Sequence, residues 1–514
     1  MRKRAYLAIL VLTALGMATA WAQSELPQRG QTPGRSSFAP QSQAATAPSS
    51  TSRPASLPEE KSAVSRQSVR IAGQVVNYTA TAANYVVKAS DGSPKASFFF
   101  VAYTKDGVTD VSKRPLAFVY NGGPGSASLF THMGLGPRRI VLTDDGHGMP
   151  APYSIADNDA SFLDAADLVF VDAISTGYSR PVSGEAPAQF YGLTQDATWF
   201  SDFIYQFLTR NERWSSPKFL IGESYGTTRS AELAYVLQQR HQIYLNGIVL
   251  ISAVGFGSFG ADDRSIYFLP SYATAAWYHH LLPADLQKLG IEDLAKAARA
   301  FAHGPYAAAL EKGDELTAAE RQQAVQDIAR FTGLTTRYIE QTNLRVNPMR
   351  WFKELLRDKR LTVGRLDARF TGMDADAAGE RVEYDASEAS YEGAYSAMFQ
   401  DYVRRELKWT SDLYYTISAS VYPWDRGQDG QPAEALRSAM TEQTFLKVLV
   451  VCGYYDFATP FNGIEQTFAH MGLEPSVRKN VSFAYYQGGH MMYIDKTCRD
   501  KLHKDVAGFI AGAY

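Results

Sequence analysis

The sequence predicts an α/β protein with a mostly parallel central sheet, helices on both faces and an inserted helical cap. Compact apolar runs alternate with helical patterns in the first half of the chain, and the same kind of run returns near the C-terminus. Strands that are apolar along their whole length are typical of a parallel sheet covered on both faces. The predicted strands of this core are 116–120, 167–172, 219–221, 247–252, 448–453 and 482–486.

The remaining segments are assigned from their patterns. Alternating runs between residues 67 and 103, broken by Asp91-Gly92, predict antiparallel strands at the leading edge of the sheet. From 258 to 440 helical windows such as 316–332 and 394–409 follow one another without a buried strand. We therefore expect core residues 67–257 and 441–514, separated by a 258–440 insertion. Inserted helices commonly form a lid that shapes a pocket, and an independent helical domain is the alternative.

The N-terminus has the pattern of a secretory signal peptide. Arg2, Lys3 and Arg4 precede an apolar run that ends in the small-residue cleavage pattern Ala20-Trp21-Ala22. A retained membrane anchor is the alternative, but the run is short for a span. Residues 23–66 are rich in Ser, Pro, Ala and Gln and predict a disordered linker. The sequence thus predicts export, to the periplasm or outside the cell, with cleavage near Ala22 and no stable membrane insertion afterwards.

Composition excludes several classes of partner. The 514 residues are 45% hydrophobic and carry a net charge of −2, so no basic surface favours nucleic acid. Neither a metal-ligand cluster nor a cofactor fingerprint is present in the sequence, and we expect no metal and no cofactor.

Cys452 and Cys498 are the two cysteines. In an exported protein they could form one disulfide or remain two buried thiols. Composition does not indicate the oligomeric state.

Residues 216–237 are the stretch around which the chemistry is organised. Gly222-Glu223-Ser224-Tyr225-Gly226 fits G-x-S-x-G between a short apolar strand and an apolar helical face. This is the nucleophile elbow, a sharp turn that exposes a serine hydroxyl at a sheet edge. Glycines are expected at both ends because side chains there would clash. An ordinary glycine turn is the alternative.

A second glycine-rich turn, 121–128, follows the strand at 116–120. A loop without side chains at a strand end lets backbone N–H groups approach a developing oxyanion. A phosphate-binding loop is the competing interpretation, but neither a Gly-Lys-Ser/Thr sequence nor G-x-G-x-x-G fits. A plain turn without a functional role is the remaining interpretation of this segment.

A serine nucleophile needs an imidazole base and an acid that orients it. In this arrangement the order along the chain is Ser, Asp, His. Of nine histidines, His490 is the one that follows a late strand in a glycine-rich loop. Asp456 follows a buried strand at its carboxyl end. We therefore predict the triad Ser224, Asp456 and His490.

These motifs together resemble the serine carboxypeptidase family of the α/β-hydrolase clan, in a bacterial-type member. The resemblance runs from about residue 67 to the C-terminus and implies an α/β-hydrolase fold. It also implies an exopeptidase that removes C-terminal residues from peptides through an acyl-enzyme, favoured at acidic pH. The motifs are 121–125, Gly177-Tyr178-Ser179, 222–226, 453–456 and Gly489-His490-Met491.

The resemblance also assigns roles by position. It implies Ser224 as nucleophile, His490 as base and then acid, and Asp456 as the orienting acid. Backbone N–H groups of two residues would form the oxyanion hole, and other residues would contact the substrate and its terminal carboxylate. The oxyanion residues are Gly123 and Tyr225, and the substrate-binding residues are Asn121, Gly122, Glu223 and Met491.

The sequence departs from the family pattern at three places. The family's second glutamate lies shortly before a Gly-Pro pair, but Met133-Gly134-Leu135 precede Gly136-Pro137 here. Val119 stands where the family usually has a tryptophan, two positions before the Asn, and Ser126 stands where it usually has a cysteine in the loop. Two acids sharing a proton bind a carboxylate better than one. We therefore expect weaker or differently sourced carboxylate recognition and less dependence on acid pH. An esterase or acyltransferase with the same triad, or a catalytically silent binding protein, remains the alternative.

Overall fold

The computed structural model describes residues 59–257 and 259–514. The predicted signal peptide and most of the predicted linker lie outside these residues. The first strand begins at Ser62, so residues 62–66, predicted as the end of the linker, are part of the sheet. Within the described residues, no helix combines the length and apolar character needed to cross a bilayer.

Ten of the described strands form one central sheet. Its order is β1-β2-β3-β7-β4-β9-β10-β13-β14, and β8 pairs with β3. All neighbours from β7 to β14 pair in parallel, whereas β1, β2, β3 and β7 pair antiparallel. These ten strands are β1 (Ser62–Ile71), β2 (Gln74–Lys88), β3 (Pro94–Lys105), β4 (Leu116–Tyr120), β7 (Asp167–Val171), β8 (Arg180–Pro181), β9 (Lys218–Glu223), β10 (Gly247–Ile251), β13 (Lys447–Gly453) and β14 (Val481–Tyr486).

Helices lie around this sheet and fill the insertion. They are α1 (Leu129–Leu135), α2 (Leu193–Arg210), α3 (Tyr225–His241), α4 (Ala261–Tyr278), α5 (Ala284–Gln287), α6 (Ile291–Phe301), α7 (Ala307–Lys312), α8 (Ala318–Thr332), α9 (Thr336–Gln341), α10 (Pro348–Glu354), α11 (Ala386–Arg405), α12 (Gln431–Glu442), α13 (Phe461–His470), α14 (Pro475–Arg478) and α15 (Lys496–Ala511).

Two small antiparallel pairs lie apart from the central sheet. They are β5 (Arg138–Ile140) with β6 (Ile155–Asp157), and β11 (Thr362–Val363) with β12 (Thr371–Gly372). Both residues of β11 are buried, so the prediction that 258–440 contains no buried strand is wrong; a strand of two residues is too short to leave a pattern in the sequence.

Both faces of the inner parallel strands are buried, as the continuous apolar strands predict. Successive residues of a strand point to opposite faces. Leu220 belongs to the apolar cluster on one face, and its neighbours Phe219 and Ile221 belong to the cluster on the other. The mostly parallel α/β architecture predicted from the sequence is confirmed.

The aromatic stripe of α2 packs in the core. Phe200, Phe203 and Phe207 are buried in the same cluster as Leu220. The helix begins at Leu193, directly after Gly192. Cys452 and Cys498 are both buried free thiols, which settles the choice that composition left open.

Candidate active site

The parallel strands bring their carboxyl ends to one edge of the sheet. Glu223 at the end of β9 pairs with Ile251 at the end of β10. Ile251 in turn pairs with Val451, near the end of β13. Neighbouring strands lie about 4.8 Å apart, so side chains leaving these ends can meet.

The three predicted triad residues lie at this edge. Ser224 follows β9 directly, and Asp456 and His490 follow β13 and β14 after short loops. The hydroxyl of Ser252, the first residue after β10, donates to the backbone carbonyl of His490 at 2.6 Å. The histidine loop therefore reaches back over the end of the strand that neighbours β9.

Ser224 has the strained backbone expected of an elbow. Its φ is 58° and its ψ is −128°, a conformation that L residues rarely adopt. A Cβ on Gly222 would lie 2.2 Å from the carbonyl oxygen of Gly226, and one on Gly226 would lie 3.1 Å from the carbonyls of Tyr120 and Asn121. Side chains at either glycine would force the strand and helix apart, as the motif predicts.

Asp456 and His490 form a buried pair. Oδ2 of Asp456 lies 2.8 Å from Nδ1 of His490, and the two residues are 0% and 5% exposed. Oδ1 of Asp456 accepts from the backbone N–H groups of Ala458 and Thr459. A proton held on Nδ1 by the carboxylate leaves Nε2 as the acceptor on the other side of the ring.

The insertion helps to hold the histidine loop. The N–H of His490 donates to the carbonyl of Leu366 at 2.6 Å, and the N–H of Gly489 donates to Oδ2 of Asp367 at 3.0 Å. Asp367 also pairs with Arg369. Sequence reasoning missed these residues, since no motif marks them.

Electrostatics make His490 a stronger base than usual. Burial lowers its pKa, but the charge and hydrogen bond of Asp456 outweigh burial, and the charge of Glu223 adds to them. The pKa of His490 is therefore raised above its ordinary value.

The serine hydroxyl is not yet engaged. Ser224 is half-buried, and within the described part of the chain its Oγ makes no hydrogen bond. Catalytic hydrogen bonds are often long in the absence of substrate and tighten in the complex.

The glycine-rich turn lies directly against the elbow. A Cβ on Gly122 would lie 2.4 Å from the backbone nitrogen of Tyr225. Tyr225 is the first residue of α3, so its N–H is one of those at a helix N-terminus that point outward without an intrahelical partner. Gly123 has φ of 102°, which glycine adopts readily. The N–H groups of Gly123 and Tyr225 thus belong to two backbone segments in contact.

A buried ion pair supports these segments. Nε of Arg229 lies 2.7 Å from Oδ2 of Asp196, and its Nη1 donates to the carbonyl of Asn121 at 2.8 Å. The hydroxyl of Tyr225 donates to the same Asp196 oxygen at 3.2 Å. Arg229 and Asp196 therefore join the elbow helix to the glycine-rich turn, a support that the sequence did not reveal.

Backbone pairing secures the glycine-rich turn around Ser126. Residues 411–425, called the strap below, lie along it. The N–H of Ala419 donates to the carbonyl of Gly125 at 2.8 Å, and the N–H of Ala127 donates to Ile417 at 2.9 Å. Ser126 lies between these two bonds and bridges to Ser418.

Asn121 and Glu223 meet in the site. Nδ2 of Asn121 donates to Oε1 of Glu223 at 2.6 Å, and Oδ1 of Asn121 accepts from the N–H of Thr131 at 2.9 Å. Burial raises the pKa of Glu223 to about 7, and the side chain is only 3% exposed. Met491, which follows the histidine, is also buried.

Several side chains act on Glu223 without pairing with its second carboxylate oxygen. In the described residues Oε2 of Glu223 has no hydrogen-bond partner. The groups whose charge or hydrogen bonding acts on its pKa are His490, Tyr493, Asp456 and Asn121. Across the described ranges no cluster of three or more His, Cys, Asp or Glu could hold a metal ion.

A family model described as serine carboxypeptidase matches residues 74–509. The chain belongs to the serine carboxypeptidase family. By family membership it is a serine-type carboxypeptidase, as the motifs predict.

A solved structure has a similar fold. The prohormone-processing carboxypeptidase Kex1 of Saccharomyces cerevisiae superposes with a TM-score of 0.52 at 14% identity, covering 85% of this chain and 92% of the Kex1 chain. This similarity confirms the predicted α/β-hydrolase fold. A proline iminopeptidase of Mycobacterium smegmatis matches with a TM-score of 0.36 at 15% identity, covering 84% and 98% of the two chains. Among curated proteins, no sequence matches this chain.

Proposed function

We propose that this protein is an exported serine carboxypeptidase that removes C-terminal residues from peptides with a free terminal carboxylate. The observation that carries the proposal is the buried Asp456–His490 pair at the same sheet edge as the strained Ser224 elbow. Export is proposed from the N-terminal sequence pattern alone.

The proposed reaction has two halves. Nε2 of His490 takes the Ser224 proton while Oγ attacks the carbonyl carbon of the last peptide bond. The N–H groups of Gly123 and Tyr225 stabilise the oxyanion. The protonated His490 then gives its proton to the leaving amine, the C–N bond breaks and an ester to Ser224 remains. Water, deprotonated by His490, hydrolyses this acyl-enzyme and restores the serine.

Asp456 keeps the imidazole in the tautomer that this reaction needs. Its carboxylate accepts from Nδ1 at 2.8 Å and is itself held by two backbone N–H groups. Asn121 and Glu223 hydrogen-bond to each other next to Ser224 and are proposed to bind the terminal carboxylate, with Gly122 and Met491 as further contacts.

Labelling with a fluorophosphonate tests the nucleophile. We expect the wild-type protein to be labelled on Ser224 and the Ser224→Ala variant to remain unlabelled and inactive. Ser438→Ala is a suitable control, because the hydroxyl of Ser438 contacts Glu434 of the same helix, α12, and this variant should be labelled like the wild type. Labelling that persists in Ser224→Ala would contradict the proposed nucleophile.

Substrate comparison tests the exopeptidase. The enzyme should hydrolyse an N-blocked dipeptide acid much faster than the matching dipeptide amide. The alternative, an esterase or acyltransferase, is favoured by the sequence, which has no Asp or Glu between Asn121 and Val141, where the family has its second glutamate. Equal rates on the acid and the amide, with a higher rate on a small ester, would support that alternative.

A further inference from the structure

Tyr493 occupies the space that the family's second acid would need. Gly134 precedes the Gly136-Pro137 pair, where the acid is missing. A Cβ on Gly134 would lie 2.3 Å from Cδ2 and 2.4 Å from Cε2 of the Tyr493 ring. A side chain at position 134 and the ring of Tyr493 therefore exclude each other.

Tyr493 and Glu223 are both buried with an unused oxygen. Tyr493 is 1% exposed and Glu223 is 3% exposed. Within the described residues neither the Tyr493 hydroxyl nor Oε2 of Glu223 has a hydrogen-bond partner. The two groups are nevertheless close enough for each to alter the pKa of the other. Unpaired buried polar atoms are rare in native proteins, so two on neighbouring side chains that act on each other indicate a place for an atom that contacts both.

The hydrogen-bonding chemistry of Glu223 and Tyr493 indicates which kind of ligand atom could contact both side chains. Oε1 of Glu223 already accepts from Asn121, so a proton on this carboxyl is held by Oε2. In that state Oε2–H and the Tyr493 hydroxyl are two neighbouring donors, and a carboxylate oxygen is the acceptor that fits both.

We propose that Tyr493 is the partner of Glu223 in recognising the terminal carboxylate of the substrate, in the place of the missing second acid. This inference rests on the proposed carboxypeptidase function and names the residue that gives it specificity. Unlike a carboxylic acid, the phenol remains a donor throughout the working range, because burial raises its pKa well above the ordinary value.

Several other groups act on this pair. His490 and Asp456 act on Glu223 from the triad side, and Tyr395 of α11 faces both Glu223 and Tyr493. Tyr391, also of α11, acts on Tyr493. The positive charges of Arg499 and Arg139 lower the pKa of Tyr395. The effect of removing the Tyr493 hydroxyl on the pKa of Glu223 is therefore measured as a difference between the variant and the wild type.

The experiment compares Tyr493→Phe with the wild type on an N-blocked dipeptide acid and the matching amide, from pH 5 to pH 9. We expect the acid-to-amide ratio of kcat/KM at pH 6 to fall by about tenfold or more, the effect of losing one donor to a charged acceptor. The phenol lowers the pKa of Glu223, so its removal should also move the alkaline decline of the ratio to higher pH. A residue that only supports the fold would not move this midpoint.

Two further variants complete the test. Gly134→Ala should displace the ring and lower the same ratio. Tyr306→Phe is the matched control, since its hydroxyl donates to the carbonyl of Leu344, and it should leave the ratio unchanged. A ratio and midpoint equal to wild type in Tyr493→Phe would overturn the role of Tyr493. A wild-type enzyme that does not distinguish acid from amide would instead overturn the proposed function.

Discussion

Oδ2 of Asp456 lies 2.8 Å from Nδ1 of His490, and both side chains are buried. In such a pair the acid fixes the tautomer of the imidazole and stabilises its cation. The first prediction follows from this relationship.

Asp456→Asn should lower kcat by about 10⁴-fold, because an amide can present N–H instead of an acceptor to Nδ1 and select the wrong tautomer. Steady-state hydrolysis of the dipeptide acid measures the loss. Asp505→Asn removes a carboxylate that accepts from Tyr486 and should keep wild-type kcat. Activity of Asp456→Asn within tenfold of wild type would exclude Asp456 as the orienting acid.

The pH dependence of kcat/KM on the dipeptide acid should be bell-shaped near neutrality. His490 must be neutral to act as base, and its raised pKa removes activity as the pH falls. The pKa of Glu223 is raised to about 7, mainly by burial, so its charge appears above that pH and repels the substrate carboxylate.

The variant Glu223→Gln separates the two limbs of this profile. A glutamine is neutral at every pH, so the decline above pH 7 should flatten. The acid limb should remain but move to lower pH, because the charge of Glu223 no longer raises the pKa of His490. A steep rise in activity from pH 7 to pH 4.5 would contradict this assignment and would indicate acid-pair recognition.

Gly222→Ala should disrupt the elbow. The added methyl group would lie 2.2 Å from the carbonyl oxygen of Gly226 and 2.6 Å from Oγ of Ser230. We expect about 1–3 kcal/mol of lost stability and little remaining activity, as measured by urea unfolding and hydrolysis. Gly508→Ala in α15 meets no atom within 4 Å and should stabilise the protein by about 0.5–1 kcal/mol. Equal stability of the two variants would argue against a strained elbow.

Asp196→Ala should destabilise the protein strongly, since it leaves the guanidinium of Arg229 buried without its carboxylate partner. The two side chains are 6% and 1% exposed. Breaking such a pair costs about 3–5 kcal/mol. The double variant Asp196→Ala with Arg229→Met should lose less stability than Asp196→Ala alone. Unfolding in urea gives the free energy of unfolding of both variants. A double variant that is less stable than the single one would show that Arg229 acts mainly through other contacts.

Much of the fold was predictable because it depends on local pattern. The strands of the core are apolar along their length, and Leu220 with its neighbours shows why: both faces are covered. The elbow at Ser224 was also predictable, because glycine spacing reports backbone geometry directly. The pairing of Asp456 with His490 followed from chain order and strand ends.

The supports of the site could not be predicted in this way. Tyr493 and Gly134 are far apart in sequence, and their mutual exclusion is visible only when the ring is placed. Leu366 lies in the insertion and contacts the histidine loop through its backbone carbonyl, which any residue type could supply. The strap pairs with the glycine-rich turn through backbone hydrogen bonds. Any residue type can form such bonds, so the sequence does not predict this pairing.

The central claim is tested most directly by mass spectrometry of an unblocked peptide of about ten residues after incubation with the enzyme. The claim predicts a ladder of products shortened one residue at a time from the C-terminus, absent with Ser224→Ala and suppressed when the same peptide carries a C-terminal amide. Internal fragments, or equal shortening of the acid and the amide, would contradict it.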